Sequence, residues 1–333
     1  MEQEMPDFSA PGRRISEVKC LEELWKRKFY DQVLLKKIRC KTGVEGAYVS
    51  FAIYNGQEVS STRFPHTGAI GWKTVNGAWI FLCGSALISD RFMLTAAHCA
   101  TSTDARVADP SPKIVRLGSN NILNSNNYGK KPIDVNIKNF IIHENYRHPF
   151  KQFDIALIEL KVKVPFTVYT NPSCVWPNDH EELFGKAYEA GWGVVQSDKI
   201  PLNAKDVPQY EIADLDLIDS KTCEEKIKSL NTPESYQISQ QICATYSGND
   251  TCKVDSGGPL MTLIRNPGFS DFTVHYITGV EVESYGCHSP TYPNIYTRVS
   301  SFIDWIEEIV WPDEEEVREY LTEKKFTSIY GPV

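Results

Sequence analysis

Cys252-Lys253-Val254-Asp255-Ser256-Gly257-Gly258-Pro259 places a serine in a glycine-rich turn. A serine hydroxyl is a weak nucleophile and needs an adjacent base before it can attack a carbonyl carbon. Thr95-Ala96-Ala97-His98-Cys99 supplies a histidine after a strand-like run, and Asp154-Ile155-Ala156-Leu157 supplies an acid at the start of an apolar run. Because a buried acid can fix the tautomer of an imidazole base, His98, Asp154 and Ser256 form a candidate nucleophilic triad.

The region around these residues has the texture of an all-β domain. From about Ile53 to Val299, short β-branched and aromatic runs are separated by Gly, Pro, Asn and Ser. The clearest runs are Ala78–Leu82, Phe92–Thr95, Lys113–Leu117 and Thr273–Val282. This spacing predicts a sandwich or barrel and not alternating βα units.

Helix signals are few, and the clearest lies near the end of the chain. Ser301-Phe302-Ile303-Asp304 has the form of an N-terminal capping box. The apolar residues that follow fall at helical spacing: Phe302, Trp305, Ile306, Ile309 and Val310. We therefore predict one amphipathic helix that begins at Ser301 and is ended by Pro312.

The composition and charge of the chain exclude some classes of partner and indicate its cellular compartment. The 333 residues carry a formal net charge of −8, which argues against a nucleic-acid surface. No apolar run is long enough for a membrane-spanning helix, and we expect no membrane partner. Nine cysteines favour an oxidising compartment, although Met1–Arg14 holds no apolar signal region. We expect a secreted protein whose signal is not visible in this chain.

Several further stretches of the sequence match the pattern of a known protein family. They are Ile53-Tyr54-Asn55-Gly56, Phe64-Pro65-His66, Cys83-Gly84-Ser85-Ala86-Leu87-Ile88, Gly191-Trp192-Gly193, Tyr296-Thr297-Arg298-Val299 and Trp305-Ile306. Together with the order His, Asp, Ser, they make the chain similar to the trypsin/chymotrypsin family of serine proteases, and most closely to the insect clip-domain proteases of the Snake type. The six-cysteine clip module itself is absent from this chain.

The resemblance implies a fold and a domain organisation. It implies two packed six-stranded antiparallel β-barrels with a C-terminal helix. Residues 1–52 would be a leader tethered by a disulfide, residues 53–311 the protease domain, and residues 312–333 a charged tail.

The same resemblance implies four disulfides. Three lie within the domain: Cys83–Cys99, Cys223–Cys243 and Cys252–Cys287. A fourth, Cys20–Cys174, would tether the leader. Cys40 is left over and would be a buried or capped thiol or form an intermolecular disulfide. These pairings disfavour another interpretation of the cysteines, in which the chain is a cytosolic protein with free thiols.

Specificity and activation residues also follow from the resemblance. Asp250 lies where trypsin-like members hold the carboxylate that pairs with a substrate Lys or Arg. The N–H groups of Val254 and Ser256 would form the oxyanion hole. A new amine at Ile53 would pair with Asp255 after activation.

The chain departs from the family pattern at several of these positions. Val254 stands where glycine is usual, and a β-branched residue resists backbone geometries that glycine accepts. Glu283 replaces the aromatic floor of the substrate site and adds negative charge, and Ser284 and Asn294 replace the two glycines that keep the specificity pocket open. Ala52 precedes Ile53, so the activating cut would need an elastase-like protease.

Two functions remain open. The first is a serine endopeptidase that cleaves after Lys or Arg through an acyl-enzyme, in limited extracellular proteolysis. The second is a catalytically impaired homologue that acts as a binding or regulatory protein. The expected partners are a protein substrate, an activating protease and a protein inhibitor. No cofactor or metal is implied, since no acidic residue lies between Asp109 and Asp134, where the family's calcium loop would be.

Overall fold

The structure is a computed structural model of the chain. It describes the following residues: 5–26, 53–54, 57–58, 64–119, 122, 132–167, 169–178, 185–192, 210–230, 235–246, 255–265, 273–284 and 293–312. Two short strands, β1 (Ile53–Tyr54) and β2 (Gln57–Glu58), pair as an antiparallel hairpin ahead of the main body. None of the helices among these residues is long and apolar enough to span a bilayer.

Six antiparallel strands form the first barrel. They are β3 (Thr67–Lys73), β4 (Trp79–Leu87), β5 (Phe92–Thr95), β6 (Ile114–Leu117), β7 (Ile133–Ile142) and β8 (Ala156–Leu160). They close in the order β3-β4-β5-β8-β7-β6. Alternation sets the inner face: in β7, Val135 is buried while its neighbours Asp134 and Asn136 are exposed.

The second barrel is built from later strands. They are β10 (Lys186–Gly191), β11 (Glu211–Ile218), β12 (Gln241–Tyr246), β13 (Pro259–Arg265), β14 (Thr273–Glu283) and β15 (Asn294–Arg298). The order is β13-β10-β11-β12-β15-β14, and β13 also pairs with β14, which closes the ring. A short seventh strand, β9 (Cys174–Val175), joins β14 in parallel. The expected pair of six-stranded barrels is confirmed.

Three α-helices among the described residues lie outside the barrels. The described part of α1 covers residues 15–26, α2 is Ser220–Lys228, and α3 is Ile303–Val310. The predicted start of the last helix is wrong. A 3₁₀ turn, Val299–Phe302, includes the first two residues of the proposed capping box, and α3 begins after Phe302 without a side-chain cap. Packing explains the difference, because Phe302 is buried in the core and fixes the entry of the chain.

One hydrophobic core joins the first barrel to the second and to α3. It includes Leu94 and Leu157 from the first barrel, Val280 from β14, and Ile306 from α3. Burying each such side chain contributes about 1.5–3 kcal/mol. The seam between the barrels is therefore held by shared apolar contacts, and the candidate site lies across this seam.

Candidate active site

His98 is positioned by a short turn at the end of a barrel strand. It lies in the 3₁₀ turn Ala97–Ala100, which follows β5 after one intervening residue, Ala96. The next residue, Cys99, forms a disulfide with Cys83 of β4. Because Ala97 and Cys99 are buried on either side, the turn is fixed to the barrel and the imidazole is held at the seam.

Asp154 is fully buried immediately before β8. The preceding residue, Phe153, adopts a positive φ of 54°. The carboxylate makes two bonds to one residue: Oδ1 accepts from the backbone N–H of His98 at 2.9 Å, and Oδ2 lies 2.8 Å from His98 Nδ1. Thr297 of β15 donates its hydroxyl to the Asp154 carbonyl at 3.0 Å, which ties the acid to the second barrel.

Ser256 lies in a tight turn wedged between the barrels. The Gly258 N–H donates to the Asp255 carbonyl at 2.7 Å, and Gly257 has a φ of +78°. From the first barrel, the Gly84 N–H donates to the Ser256 carbonyl at 2.8 Å. The Gly257 N–H donates to the Glu281 carbonyl on β14 at 3.0 Å. The position of the hydroxyl is therefore set by both barrels.

The three side chains are in direct contact. His98 Nε2 lies 2.7 Å from Ser256 Oγ. An ionised carboxylate can only accept hydrogen bonds, so Nδ1 carries the ring hydrogen and donates to Asp154. Nε2 is then free to accept the hydrogen of the Ser256 hydroxyl. This arrangement can move a proton from the hydroxyl to the imidazole.

The electrostatic surroundings favour the imidazolium. Burial acts to lower the pKa of His98, but the charge and hydrogen bond of Asp154 raise it, with a smaller contribution from Glu281, and the net direction is upward. A base whose pKa is raised accepts a proton more readily, at the cost of being protonated over a wider acidic range.

Sequence and structure comparisons identify the family. A family model described as Trypsin matches residues 53–306. The chain belongs to the trypsin family. It is 33% identical over 267 residues to "Serine protease snk" of Drosophila melanogaster, a match that covers 78% of this chain and 57% of the relative. It is 34% identical over 279 residues to "Serine protease Hayan" of the same organism, covering 80% of this chain and 40% of the relative.

A solved structure shares the fold. The crystal structure of the Drosophila Grass clip serine protease of the Toll pathway superimposes with a TM-score of 0.57 at 25% identity, over 78% of this chain and 73% of that one. The chain spans about half the length of the two sequence relatives, 57% of one and 40% of the other. The matches therefore do not assign the properties of those whole proteins to this chain.

The structure describes some of the predicted pocket residues of this trypsin-family domain. Ser284 and the buried Asn294 are adjacent, and the Ser284 hydroxyl donates to Asn294 Oδ1 at 2.9 Å. The carboxylate of Glu283 accepts a hydrogen bond from the Tyr236 hydroxyl. Asp250 and Val254 lie outside the described residues, so their roles at the pocket base and oxyanion hole stay predictions.

Asp255, the expected partner of the new amine, is buried beside the seam. Its Oδ2 accepts the backbone N–H of Trp192 at 2.7 Å. A Cβ on Gly191 would lie 2.4 Å from the same oxygen, so only glycine permits this close approach. Ile53 lies in β1, but its side chain is not described, and the ion pair stays a prediction.

Three of the expected disulfides are present: Cys20–Cys174, Cys83–Cys99 and Cys223–Cys243. Cys40, Cys252 and Cys287 lie outside the described residues. Cys83, His98 and Cys99 lie close enough together to suggest a metal site. The sulfur atoms of Cys83 and Cys99 are joined in a disulfide, so neither cysteine offers a thiolate to a metal.

Sequence reasoning missed two buried acids in the second barrel. Glu281 lies on β14 and Glu189 on β10, and both are buried. Burial raises the pKa of Glu281 to about 7 and that of Glu189 to about 8. The sequence signal that could have identified them is a single acidic residue within an otherwise apolar strand, as in Ile277–Val282.

Proposed function

We propose that this protein is a serine endopeptidase that hydrolyses peptide bonds through an acyl-enzyme. The observation that carries the proposal is the unbroken contact from Asp154 through His98 to Ser256, with separations of 2.8 and 2.7 Å. Membership of the trypsin family supports the same chemistry.

In the proposed mechanism, Ser256 Oγ attacks the carbonyl carbon of the scissile bond while its proton passes to His98 Nε2. The N–H groups of Val254 and Ser256 would bind the resulting oxyanion. The imidazolium, stabilised by Asp154, then gives its proton to the leaving amine as the C–N bond breaks. Water then attacks the acyl carbon while its proton passes to His98 Nε2. The bond between the acyl carbon and Ser256 Oγ breaks, His98 returns the proton to Oγ, and the carboxylic acid product leaves.

We further propose that cleavage follows Lys or Arg, with Asp250 as the expected pairing acid. The setting would be limited extracellular proteolysis, with a protein substrate, an activating protease and a protein inhibitor as partners. Support comes from three disulfides, which persist in oxidising compartments, and from similarity to the Drosophila Grass clip serine protease of the Toll pathway and to "Serine protease snk".

The alternative, a regulatory homologue with impaired catalysis, is favoured by a different set of observations. Val254 replaces the usual glycine, and the linked pair Ser284–Asn294 occupies positions that are normally glycine. Loss of one oxyanion donor costs about two to three orders of magnitude in turnover. If Val254 is the cause of impairment, Val254→Gly should recover a comparable factor.

A fluorophosphonate probe separates the two functions. The full chain is cut with an elastase-like protease, cleavage at Ala52–Ile53 is verified by N-terminal sequencing, and the probe is added. An endopeptidase labels at Ser256, with labelling abolished in Ser256→Ala and strongly slowed in His98→Gln. No labelling after verified cleavage would overturn the endopeptidase and favour the regulator.

A further inference from the structure

Phe153, the residue before the triad acid, has an unusual backbone conformation. Its φ is 54°, and it is the one non-glycine residue with a positive φ in the part of the chain that the structure describes. The left-handed region is strained for a residue with a Cβ, and a bulky side chain is found there far less often than Asn or Gly. Such a conformation persists only where the surrounding structure holds it. The packing around Phe153 must therefore offset the strain.

The Phe153 ring belongs to a cluster of four rings with His143 at its centre. His143 stacks on Phe153, with the ring centroids 5.3 Å apart and an interplanar angle of 21°. Phe302 lies at 81° to both rings, with its centroid 5.2 Å from that of His143 and 6.1 Å from that of Phe153. Trp305 of α3 lies 5.1 Å from His143. These separations are favourable for aromatic pairs, so this aromatic cluster fixes the Phe153 side chain.

His143 also contacts the residue on the other side of the triad acid. Its backbone N–H donates to the Ile155 carbonyl at 3.2 Å, and the Ile155 N–H donates to the Phe153 carbonyl at 2.8 Å. The second of these bonds closes a three-residue turn centred on Asp154. His143 therefore holds both neighbours of the acid, one through its ring and the other through its backbone.

The His143 ring is itself held in one orientation. It is buried, and its Nδ1 accepts the Asn145 N–H at 3.2 Å, which leaves the ring hydrogen on Nε2. Burial lowers the pKa of His143, against a smaller upward effect of Glu144, so the ring is neutral near pH 7. A neutral imidazole stacks on Phe153 without the cost of burying a charge.

We propose that His143 and Phe153 are positioning residues for the triad. The aromatic cluster holds Phe153 in its left-handed conformation, and this conformation directs the Asp154 carboxylate onto His98. That carboxylate has to meet two donors at once, the His98 backbone N–H at 2.9 Å and Nδ1 at 2.8 Å. Because the chain passes directly from Phe153 into Asp154, relaxation to a negative φ would displace the carboxylate, and misplacement by about 1 Å is enough to impair catalysis. This inference rests on the proposed function, since His98 is the proposed base.

Substitutions of Phe153 separate backbone conformation from general packing. Asn adopts a positive φ readily, whereas the β-branched Val resists it. In the chain cut at Ala52–Ile53, Phe153→Val should slow fluorophosphonate labelling of Ser256 about tenfold, and Phe153→Asn should stay within about threefold of the wild-type rate. Phe166→Val is the matched control, because Phe166 is also half-buried against the same core but has no positive φ. It should leave labelling unchanged, and thermal melts verify the folding of each variant.

The titration of His98, followed by NMR, reports the position of Asp154 without requiring catalysis. Burial acts to lower the pKa of His98, and the charge and hydrogen bond of Asp154 raise it above its usual value. Glu281, which raises this pKa, and Lys151, which lowers it, are the same in every variant. The pKa of His98 should therefore fall in Phe153→Val and stay at the wild-type value in Phe153→Asn and in the control. A loss of packing elsewhere in a folded chain would not move it.

Variants of His143 test the aromatic cluster by a second route. His143→Phe keeps a ring against Phe153 and should retain most of the labelling rate, whereas His143→Ala removes the ring and should slow labelling about tenfold. In a Phe153→Asn background, His143→Ala should have a much smaller effect, since Asn needs no ring to hold its φ. Fully additive effects of the two substitutions would overturn the positioning role, and this comparison remains available if Phe153→Val does not fold.

Other outcomes separate the positioning role from the proposed function. A folded Phe153→Val that matches Phe166→Val in labelling and in the pKa of His98 removes the positioning role alone, and so do equal effects of Val and Asn at this position. If no chain is labelled, wild type included, but the pKa of His98 follows the expected order, the endopeptidase is removed and the positioning role is supported.

Discussion

The contact between residues 14–16 and α3 yields a quantitative prediction for Glu307→Ala. The Glu307 side chain is only 1% exposed. Its Oε1 accepts from the Ser16 N–H at 3.1 Å, the Ser16 hydroxyl at 2.6 Å and Arg14 Nε at 3.2 Å, and its Oε2 accepts from Arg14 Nη2 at 2.9 Å. This one buried carboxylate therefore accepts hydrogen bonds both from Ser16 at the start of α1 and from the guanidinium of Arg14.

The free energy lost in Glu307→Ala depends on the charge of Arg14, which the substitution leaves without its buried partner. Removing one partner of a buried ion pair typically costs about 3–5 kcal/mol, because the other charge stays buried and unpaired. Arg14 retains 28% exposure and can turn toward water, which places the expected cost near the lower end, at about 3 kcal/mol. Asp304, which also pairs with Arg14, is 83% exposed and should contribute less than about 1 kcal/mol.

Hydrogen exchange is the appropriate assay because the Cys20–Cys174 disulfide keeps α1 attached to the barrel domain even when the helix opens. A local loss of about 3 kcal/mol corresponds to roughly a hundredfold faster exchange of the protected amides of residues 15–26. Asp304→Ala is the control and should accelerate exchange by less than about fivefold.

A double-mutant cycle tests the reasoning itself. Adding Arg14→Gln to Glu307→Ala should change exchange little further, since the two side chains share one interaction. Unchanged exchange in Glu307→Ala, or fully additive effects of the two substitutions, would show that the carboxylate does not hold α1.

Three further predictions concern the site. Asp154→Asn should lower the rate of Ser256 labelling by about 10⁴-fold through the wrong imidazole tautomer, with unchanged melting temperature excluding misfolding. Gly257→Ala should destabilise the domain by at least about 2 kcal/mol in urea unfolding, because the residue has a φ of +78° and its Cβ would lie 2.5 Å from Thr95 Oγ1; a neutral result would contradict the tight turn. The pKa of Glu189, about 8, is raised above that of the unfolded chain, so its stability contribution is present below about pH 4.5 and lost as pH rises toward 8. Calorimetric melting temperatures should therefore fall over that range less in Glu189→Gln than in the wild-type chain, and equal slopes would count against the burial effect.

Local sequence determined much of the barrel architecture. The run Phe92–Thr95 was predicted as a strand with the bounds that β5 has, and Lys113–Leu117 differs from β6 by one residue. The run Ala78–Leu82 was predicted too short, because β4 continues to Leu87 through Gly84, where the nucleophile turn approaches the strand. Period-two patterns identify such strands because each is buried on one face.

The residues of the triad could also be named in advance. His98, Asp154 and Ser256 lie in motifs whose residue types and chain order suit one chemistry. Their contact could not be read from local pattern, because 158 positions separate His98 from Ser256. It depends on hydrogen bonds from both barrels to a single turn.

Only the tertiary structure decided which polar residues are buried. Glu281, Glu189 and Glu307 each look like ordinary charged residues in a strand or on a helix, yet each is enclosed when distant segments meet. Residues 15–26 form α1, whose start is held by Glu307 from the other end of the chain. Periodicity reports which face of an element is apolar, whereas the burial of a lone charge depends on what packs against it from elsewhere in the chain.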